Sequence, residues 1–192
     1  FQLASGNYSP IYINCRQLLS DVAFMGLFTS SARMIFQIAD VKIDVVVGGE
    51  TAGIPLGAYI ANDFSLPMMY VRKKKKGYGI ANLVEGGDPR GRRVLLVEDL
   101  ITDGGSKVSF IESIRAANGV IENALVLFDR QQGGDQLLKG MGVKMHSVID
   151  LNTTIEIAKF HKIMSDQDFS SLSDYLSDPE VWHNLRGLTY SK

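Results

Sequence analysis

The sequence predicts an α/β fold in which an open parallel sheet is flanked by helices. Short apolar runs of strand length alternate with stretches in which apolar residues recur every three or four positions, and polar, glycine-bearing loops follow the apolar runs. Such alternation is typical of βαβ units, whose parallel sheet is covered on both faces. A chain of 192 residues suits a single domain, 1–192, with a core of its own.

Composition excludes several functional classes. The formal net charge is −1 and hydrophobic residues make up 45%, so no global charge favours nucleic acid or a membrane surface. Cys15 is the only cysteine, which excludes an internal disulfide and a thiolate metal cage. No apolar run approaches the roughly 20 residues of a membrane helix. We therefore expect a cytoplasmic protein, and we expect further residues before Phe1.

In the first half of the chain, the apolar pattern changes from strand period to helix period and back. Alternating residues predict a strand at Ile11–Arg16, and helical spacing predicts a helix within Asp21–Asp40, capped by Ser20 or Asp21. The pattern further predicts strands at Val45–Val47 and Met68–Val71 and a helix that Pro55 opens and that ends near Asn62.

The second half begins with a polar stretch without periodicity, residues 72–91, which we interpret as a mobile active-site loop. Beyond it the pattern predicts strands at Val94–Val97, Ala124–Phe128 and Val143–Leu151, a helix from about Ser106 to Gly119, and short helices in residues 153–192, one starting at Asp178-Pro179. The loops that follow parallel strands share one edge of the sheet, where open α/β sheets bind ligands.

The stretch Val94–Lys107 carries the strongest functional signal. A buried strand delivers Glu98 and Asp99 to the sheet edge, and Thr102–Ser106 then offers backbone N–H groups, two hydroxyls and a helix N terminus. That combination is typical of a phosphate-monoester site. The alternatives are an ordinary strand-to-helix turn and a surface acidic pair. Two adjacent carboxylates at a strand end are costly without partners, which favours the binding site.

Two further loops carry anion-binding chemistry. Gly48–Gly53 is either a second anion nest or a simple helix-entry turn. Arg72–Lys76 supplies five successive cations, which alone indicate a solvated basic face or a nucleic-acid patch. Beside phosphate-type loops in a chain of balanced charge, they favour a polyphosphate ligand. The three histidines, at positions 146, 161 and 183, show no metal-ligand spacing.

Taken together, the motifs resemble those of the orotate phosphoribosyltransferases, a family of type I phosphoribosyltransferases. Besides Val94–Lys107, the matching motifs over residues 1 to about 151 are Phe1–Gly6 with Ser9–Tyr12, Gly49–Pro55, Tyr70–Gly79 and Phe128–Gln131. The resemblance implies the type I fold, with a small hood region built partly from residues 1–20. It also implies transfer of the phosphoribosyl group from 5-phosphoribosyl 1-pyrophosphate to orotate, which gives orotidine 5′-monophosphate and pyrophosphate.

The resemblance also implies a role for each motif. Glu98 and Asp99 would hold the ribose hydroxyls and, with Lys73 and Lys76, form the catalytic set. The 5′-phosphate would lie against Thr102, Asp103, Gly104, Gly105 and Ser106. Pyrophosphate would be bound by Glu50, Thr51, Ala52, Gly53, Arg72, Lys73, Lys76 and Tyr78, and orotate by Ile11, Tyr12, Thr102 and Arg130.

For cofactor and partners, the resemblance implies Mg²⁺ and a homodimer. Mg²⁺ would be held mainly by the donor's pyrophosphate, with no direct protein ligand expected. The basic loop would reach the active site of the neighbouring subunit, and the remaining partners would be small-molecule substrates, without nucleic acid or membrane.

Three positions depart from the family pattern and leave the accepted base open. Ala4 and Ala52 stand where the family commonly has lysine, and Tyr78 stands where it usually has histidine, while Lys74 and Lys75 supply extra cations. The alternatives are therefore transfer to another base and a non-catalytic sensor of phosphoribosyl pyrophosphate.

Overall fold

Short apolar runs form the strands of a six-stranded sheet within residues 15–151. The strands are β1 (Val45–Gly49), β2 (Met68–Val71), β3 (Val84–Glu85), β4 (Arg93–Ile101), β5 (Val120–Asp129) and β6 (Lys144–Asp150). Their order across the sheet is β3-β2-β1-β4-β5-β6, and every neighbouring pair is parallel except β2 and β3. The predicted open parallel sheet flanked by helices is confirmed.

The computed structural model describes residues 1–2, 6–73 and 83–191. These residues form two compact units, one of residues 15–151 and one of residues 1–14 with 152–192. The single domain with a hood over residues 1–20 stays a prediction. No helix in the described part of the chain is long and apolar enough to cross a membrane.

In the described part of the larger unit, a 3-10 helix at Cys15–Ser20 is followed by four α-helices: α1 (Val22–Ile38), α2 (Gly53–Phe64), α3 (Gly105–Ala116) and α4 (Gly134–Gly140). Asp21 caps α1 as predicted, because its carboxylate accepts the backbone N–H of Phe24 at 3.0 Å. Pro55 lies in the first turn of α2, where its missing N–H costs nothing.

Alternate strand residues supply the cores on the two faces of the sheet. Val45 and Val47 belong to the cluster that includes Phe110 and Ile114 of α3, whereas Val46 lies against Gly57 of α2. All three valines have no exposed surface. A strand buried on both faces reads as a continuous apolar run, which is why Val45–Val47 is so clear in the sequence.

Three predictions about the elements are wrong. Residues 11–14 form no strand, and a 3-10 helix begins at Cys15, since alternation alone supplies no partner strand in the described chain. Strand β4 continues past Val97 to Ile101, because its pairing with β5 extends to Ile101 opposite Asp129. The stretch predicted as a loop over 72–91 contains β3, which pairs with β2. Helix α4 was not predicted.

The smaller unit contains most of the C-terminal helices, α5 (Leu151–Phe160), α6 (Asp166–Ser177) and α7 (Pro179–Asn184), of which α5 begins at the last residue of the larger unit. Asp178 caps α7 by accepting the N–H of Val181 at 2.9 Å, which confirms the predicted start at Asp178-Pro179. The buried ring of His183 accepts the backbone N–H of Tyr8 at 2.9 Å through Nε2. Tyr8 is thus held to α7 by this hydrogen bond.

Candidate active site

Four loops leave the sheet at one edge, because the strands before them are adjacent and parallel. Gly49 at the end of β1 pairs with Val71 at the end of β2, and Ile101 at the end of β4 pairs with Asp129 at the end of β5. These two pairs of strands lie side by side in the sheet, because β1 is hydrogen-bonded to β4. The carboxyl edge of such a sheet is the expected ligand site.

The loop after β4 enters α3 through a left-handed glycine. Gly104 has φ of 88°, and no side-chain cap binds the start of the helix. Asp103 Oδ1 accepts the N–H of Gly105 at 3.1 Å, so this carboxylate orders the loop. Gly105 and Ser106 are exposed. An exposed helix start with glycine N–H groups and a serine hydroxyl suits a bound phosphate.

The neighbouring loop after β5 supports this one. The N–H of Gly134 donates to the carbonyl of Thr102 at 3.1 Å, and the N–H of Arg130 donates to the carbonyl of Ile101 at 3.0 Å. A Cβ on Gly134 would lie 2.9 Å from the carbonyl oxygen of Thr102, so only glycine fits there. Arg130 is 7% exposed. The predicted phosphate loop and Arg130 are therefore brought together.

The two adjacent carboxylates have different surroundings. Glu98 Oε2 lies 2.7 Å from Lys107 Nζ, with side chains 5% and 8% exposed. Burial raises the pKa of Glu98, Lys107 opposes that rise, and Asp99 adds to it. Asp99, with a side chain 20% exposed, has Arg16 Nε at 3.7 Å from Oδ2. Glu98 is thus a buried carboxylate paired with Lys107, and Asp99 is the more accessible carboxylate.

The turn after β1 is fixed by its neighbours on both sides. Glu50 Oε2 accepts the N–H of Lys73 at 2.7 Å, and the N–H of Glu50 donates to the carbonyl of Val71. The peptide bond from Glu50 to Thr51 is cis. Ala52 and Gly53 are buried, and Thr51 is exposed. Glu50 therefore joins the predicted pyrophosphate turn to the residues that follow β2.

The cations after β2 are only partly within the described chain. Arg72 Nη1 lies 3.4 Å from Glu85 Oε1, so β3 supplies a carboxylate to it. Lys73 is exposed, and its charge acts on the Glu98 carboxylate. The predicted roles of Lys76 and Tyr78, like the departure at Ala4, lie outside the described residues.

Ile11 and Tyr12, predicted to contact orotate, belong to the smaller unit. Tyr12 is 58% exposed, and its ring packs against that of Phe1 with centroids 5.8 Å apart. The N–H of Ile11 donates to the buried Ser9 Oγ at 3.3 Å. The other described residues of the predicted site all belong to the larger unit.

Sequence reasoning missed two residues of the site, Arg16 and Lys107. Lys107 carried a readable signal, because it precedes Phe110, Ile111 and Ile114 at the spacing of one buried helix face. Arg16 carried none, since its partner Asp99 lies far away in sequence. The described residues contain no group of three or more His, Cys, Asp or Glu side chains able to hold a metal ion.

Comparison with known families agrees with this fold. A model of the phosphoribosyl transferase domain matches residues 24–142, which include β1 to β5 and the four loops. A match of that extent, on a parallel sheet with loops at its carboxyl edge, defines a phosphoribosyltransferase.

Individual relatives narrow the class. The chain is 36% identical over 189 residues to orotate phosphoribosyltransferase of Rhizobium johnstonii, covering 97% of this chain and 82% of that protein. The crystal structure of orotate phosphoribosyltransferase from Aeropyrum pernix is 36% identical, with a TM-score of 0.75 over 83% of this chain and 90% of that one. A structure of Leishmania donovani UMP synthase matches 92% of this chain but 38% of its own, with a TM-score of 0.81 and 28% identity. The chain belongs to the orotate phosphoribosyltransferase family.

Proposed function

We propose that this chain transfers the phosphoribosyl group of 5-phosphoribosyl 1-pyrophosphate to orotate at the carboxyl edge of the sheet. The observation that carries the proposal is the position of Glu98, which lies against the turn after β1 and reaches the loop after β4 through Lys107. Its carboxylate pairs with Lys107, whose Nζ also contacts Ser106, and a Cβ on Gly53 would lie 2.6 Å from Oε1. The donor carries a phosphate at one end and a pyrophosphate at the other, so each end can bind one of these two neighbouring loops.

Each loop takes one part of the donor in this proposal. Thr102–Ser106 binds the 5′-phosphate through backbone N–H groups and hydroxyls. Glu50–Gly53, with Arg72, Lys73, Lys76 and Tyr78, binds the pyrophosphate. Asp99, the more accessible carboxylate, accepts hydrogen bonds from the ribose hydroxyls. Glu98 is predicted to share that role, although its burial beside Lys107 supports Asp99 as the direct contact.

The chemistry follows from where charge develops. As the bond from C1′ to pyrophosphate breaks, positive charge grows on the sugar and negative charge on the leaving group. A carboxylate beside the ribose stabilises the first, and lysine and arginine beside the pyrophosphate stabilise the second. A base held by Thr102 and Arg130 then bonds to C1′.

The site fits Mg²⁺ that is held mainly by the donor. Mg²⁺ keeps several waters and is commonly bound through one or two carboxylates and substrate phosphates. The described residues offer Asp99 at the ribose position but no group of three acidic or histidine ligands. When bound, Mg²⁺ would neutralise charge on the departing pyrophosphate.

The substrate can be tested by competition between bases. With donor and Mg²⁺, pyrophosphate release is measured with orotate, uracil, adenine and guanine added singly. We expect release with orotate alone. Comparable release with a purine would contradict specificity for orotate. Donor binding without release for any base would favour the non-catalytic sensor.

We further propose a cytoplasmic homodimer that shares its active sites. Lys76→Ala and Asp99→Asn each inactivate a homodimer in this scheme. Mixed dimers contain one site with neither change if Lys76 acts on the neighbouring subunit, so random mixing restores about a quarter of wild-type activity. Absence of any rescue would contradict sharing.

A further inference from the structure

A buried lysine lies where the phosphate loop, the acidic pair and the turn after β1 meet. Lys107 Nζ contacts Glu98 Oε2 at 2.7 Å and Ser106 Oγ at 3.2 Å. The side chains of Lys107 and Glu98 are 8% and 5% exposed. One ammonium group therefore contacts a residue of the predicted 5′-phosphate loop and a carboxylate on β4.

The far side of the same carboxylate faces the turn after β1. A Cβ added to Gly53 would lie 2.6 Å from Glu98 Oε1, and one added to Gly49 would also collide with Oε1. The carboxylate thus fills the space that side chains at both glycines would need. A shift of Glu98 towards the turn would therefore displace the turn, and the ion pair with Lys107 holds Glu98 in place.

Stability alone does not account for this ion pair. Desolvation of two buried charges is costly, and buried pairs replaced by apolar residues often leave proteins equally or more stable. Lys107 occupies the first buried position on a helix face that continues with Phe110, Ile111 and Ile114. An apolar residue would suit that face better, so the lysine serves something other than core packing.

We propose that Lys107 is a positioning residue that sets the separation of the two anion-binding loops through Glu98. A ligand with phosphate groups at both ends needs both loops at a fixed spacing, whereas a ligand that occupies one loop does not. The nature of the two-ended ligand rests on the proposed function. The coupling of the loops rests on the contacts of Lys107 and Glu98.

The test compares the intact donor with its fragments. Binding of 5-phosphoribosyl 1-pyrophosphate, ribose 5-phosphate and pyrophosphate is measured by calorimetry on the wild type and on Lys107→Met, in the presence of Mg²⁺. We expect the Kd of the donor to rise at least tenfold and that of each fragment to rise less than threefold. Lys139→Met, at an exposed position on α4, is the matched control and leaves all three unchanged.

A conservative variant separates positioning from packing. Lys107→Arg keeps a cation beside Glu98, so its donor Kd should stay close to that of the wild type, whereas the donor Kd of Lys107→Met should not. A role in core packing alone would instead make both variants bind donor and fragments equally less tightly.

A neutral double variant keeps the proposal testable if the single variant unfolds. Glu98→Gln with Lys107→Met removes both charges at similar volume and must show the same split between donor and fragments. Equal losses for donor and fragments, or donor binding at wild-type strength in the double variant, would overturn the positioning role. Wild-type protein that binds donor but does not use orotate would instead overturn the proposed function.

Discussion

Arg16 Nε lies 3.7 Å from Asp99 Oδ2, with the arginine side chain 69% exposed and the aspartate side chain 20% exposed. This separation is too long for a hydrogen bond, and solvent screens the guanidinium, so the pair is worth at most about 1 kcal/mol. A ligand hydroxyl can therefore replace Arg16 at low cost. Lys107, by contrast, holds Glu98 in a buried contact of 2.7 Å.

Asp99→Asn tests the more accessible carboxylate. Loss of one group that stabilises developing charge typically lowers turnover by about 100-fold or more, and we expect that loss here with an unchanged melting temperature. Steady-state kinetics with donor and orotate measure it. Asp174→Asn, at an exposed position on α6, is the control and leaves turnover intact. Near-normal turnover of Asp99→Asn would remove Asp99 from the proposed mechanism.

Gly53→Ala tests the close approach of the turn to Glu98. The new Cβ would lie 2.6 Å from Glu98 Oε1, so we expect a loss of about 1–3 kcal/mol in the free energy of unfolding and weaker donor binding. The control is Gly26→Ala on α1, where an added Cβ would meet no neighbouring atom within 4 Å. Because alanine favours helices over glycine, that control gains about 0.5–1 kcal/mol. Denaturant unfolding that shows no loss for Gly53→Ala would contradict the packing.

Cys15 is expected to react slowly in the folded protein. Burial and the charge of Asp99 raise the pKa of its thiol to about 11. Because the thiolate is the nucleophile, raising the pKa from 9.0 to about 11 leaves about 100-fold less thiolate at pH 8. Alkylation by iodoacetamide, followed by mass spectrometry, should accelerate by at least that factor on unfolding. Equal rates in folded and unfolded protein would show that the thiol is exposed.

Burial of His146 is expected to lower the free energy of unfolding in mild acid. Burial and the charge of Lys144 lower the pKa of His146, and its Nε2 lies 3.0 Å from Asn123 Oδ1. A histidine whose pKa is lower in the folded state stabilises the fold above its ordinary pKa of about 6.5. That contribution is lost as pH falls below this value. Denaturant unfolding should show a smaller loss between pH 7.5 and 5 for His146→Gln than for wild type.

The control for that measurement is His161→Gln, because His161 is exposed. It should lose stability with falling pH as the wild type does. If His146→Gln and His161→Gln both followed the wild-type curve, the buried ring would not be the source of the dependence.

Local signals were enough for much of the fold. The short apolar run Met68–Val71 forms β2 with the predicted bounds. Asp21 and Asp178 cap helices as predicted, because a cap depends on a side chain and a backbone N–H only three residues apart. The parallel order of the strands then brings the four loops to one edge without further information.

Pairings over long sequence distance were not predictable. Strand β4 was expected to end before Glu98, although pairing with β5 carries it to Ile101. The adjacent carboxylates Glu98 and Asp99 indicate a strand end in the sequence. The sequence nearby does not show that Lys107 pairs with Glu98 and so allows a carboxylate to be buried within the strand. Arg16 was missed for the same reason, since its partner becomes a neighbour only in the folded chain. Lys76 and Tyr78 lie outside the described residues, and their roles stay predictions.

The central claim is tested most directly by the product of the complete mixture. Protein, Mg²⁺, 5-phosphoribosyl 1-pyrophosphate and orotate are incubated, the fall in orotate absorbance is followed, and the product is identified by chromatography and mass. We predict stoichiometric orotidine 5′-monophosphate and pyrophosphate, at a rate lowered by Asp99→Asn. Unchanged orotate, under conditions where calorimetry shows the donor bound, would contradict the account.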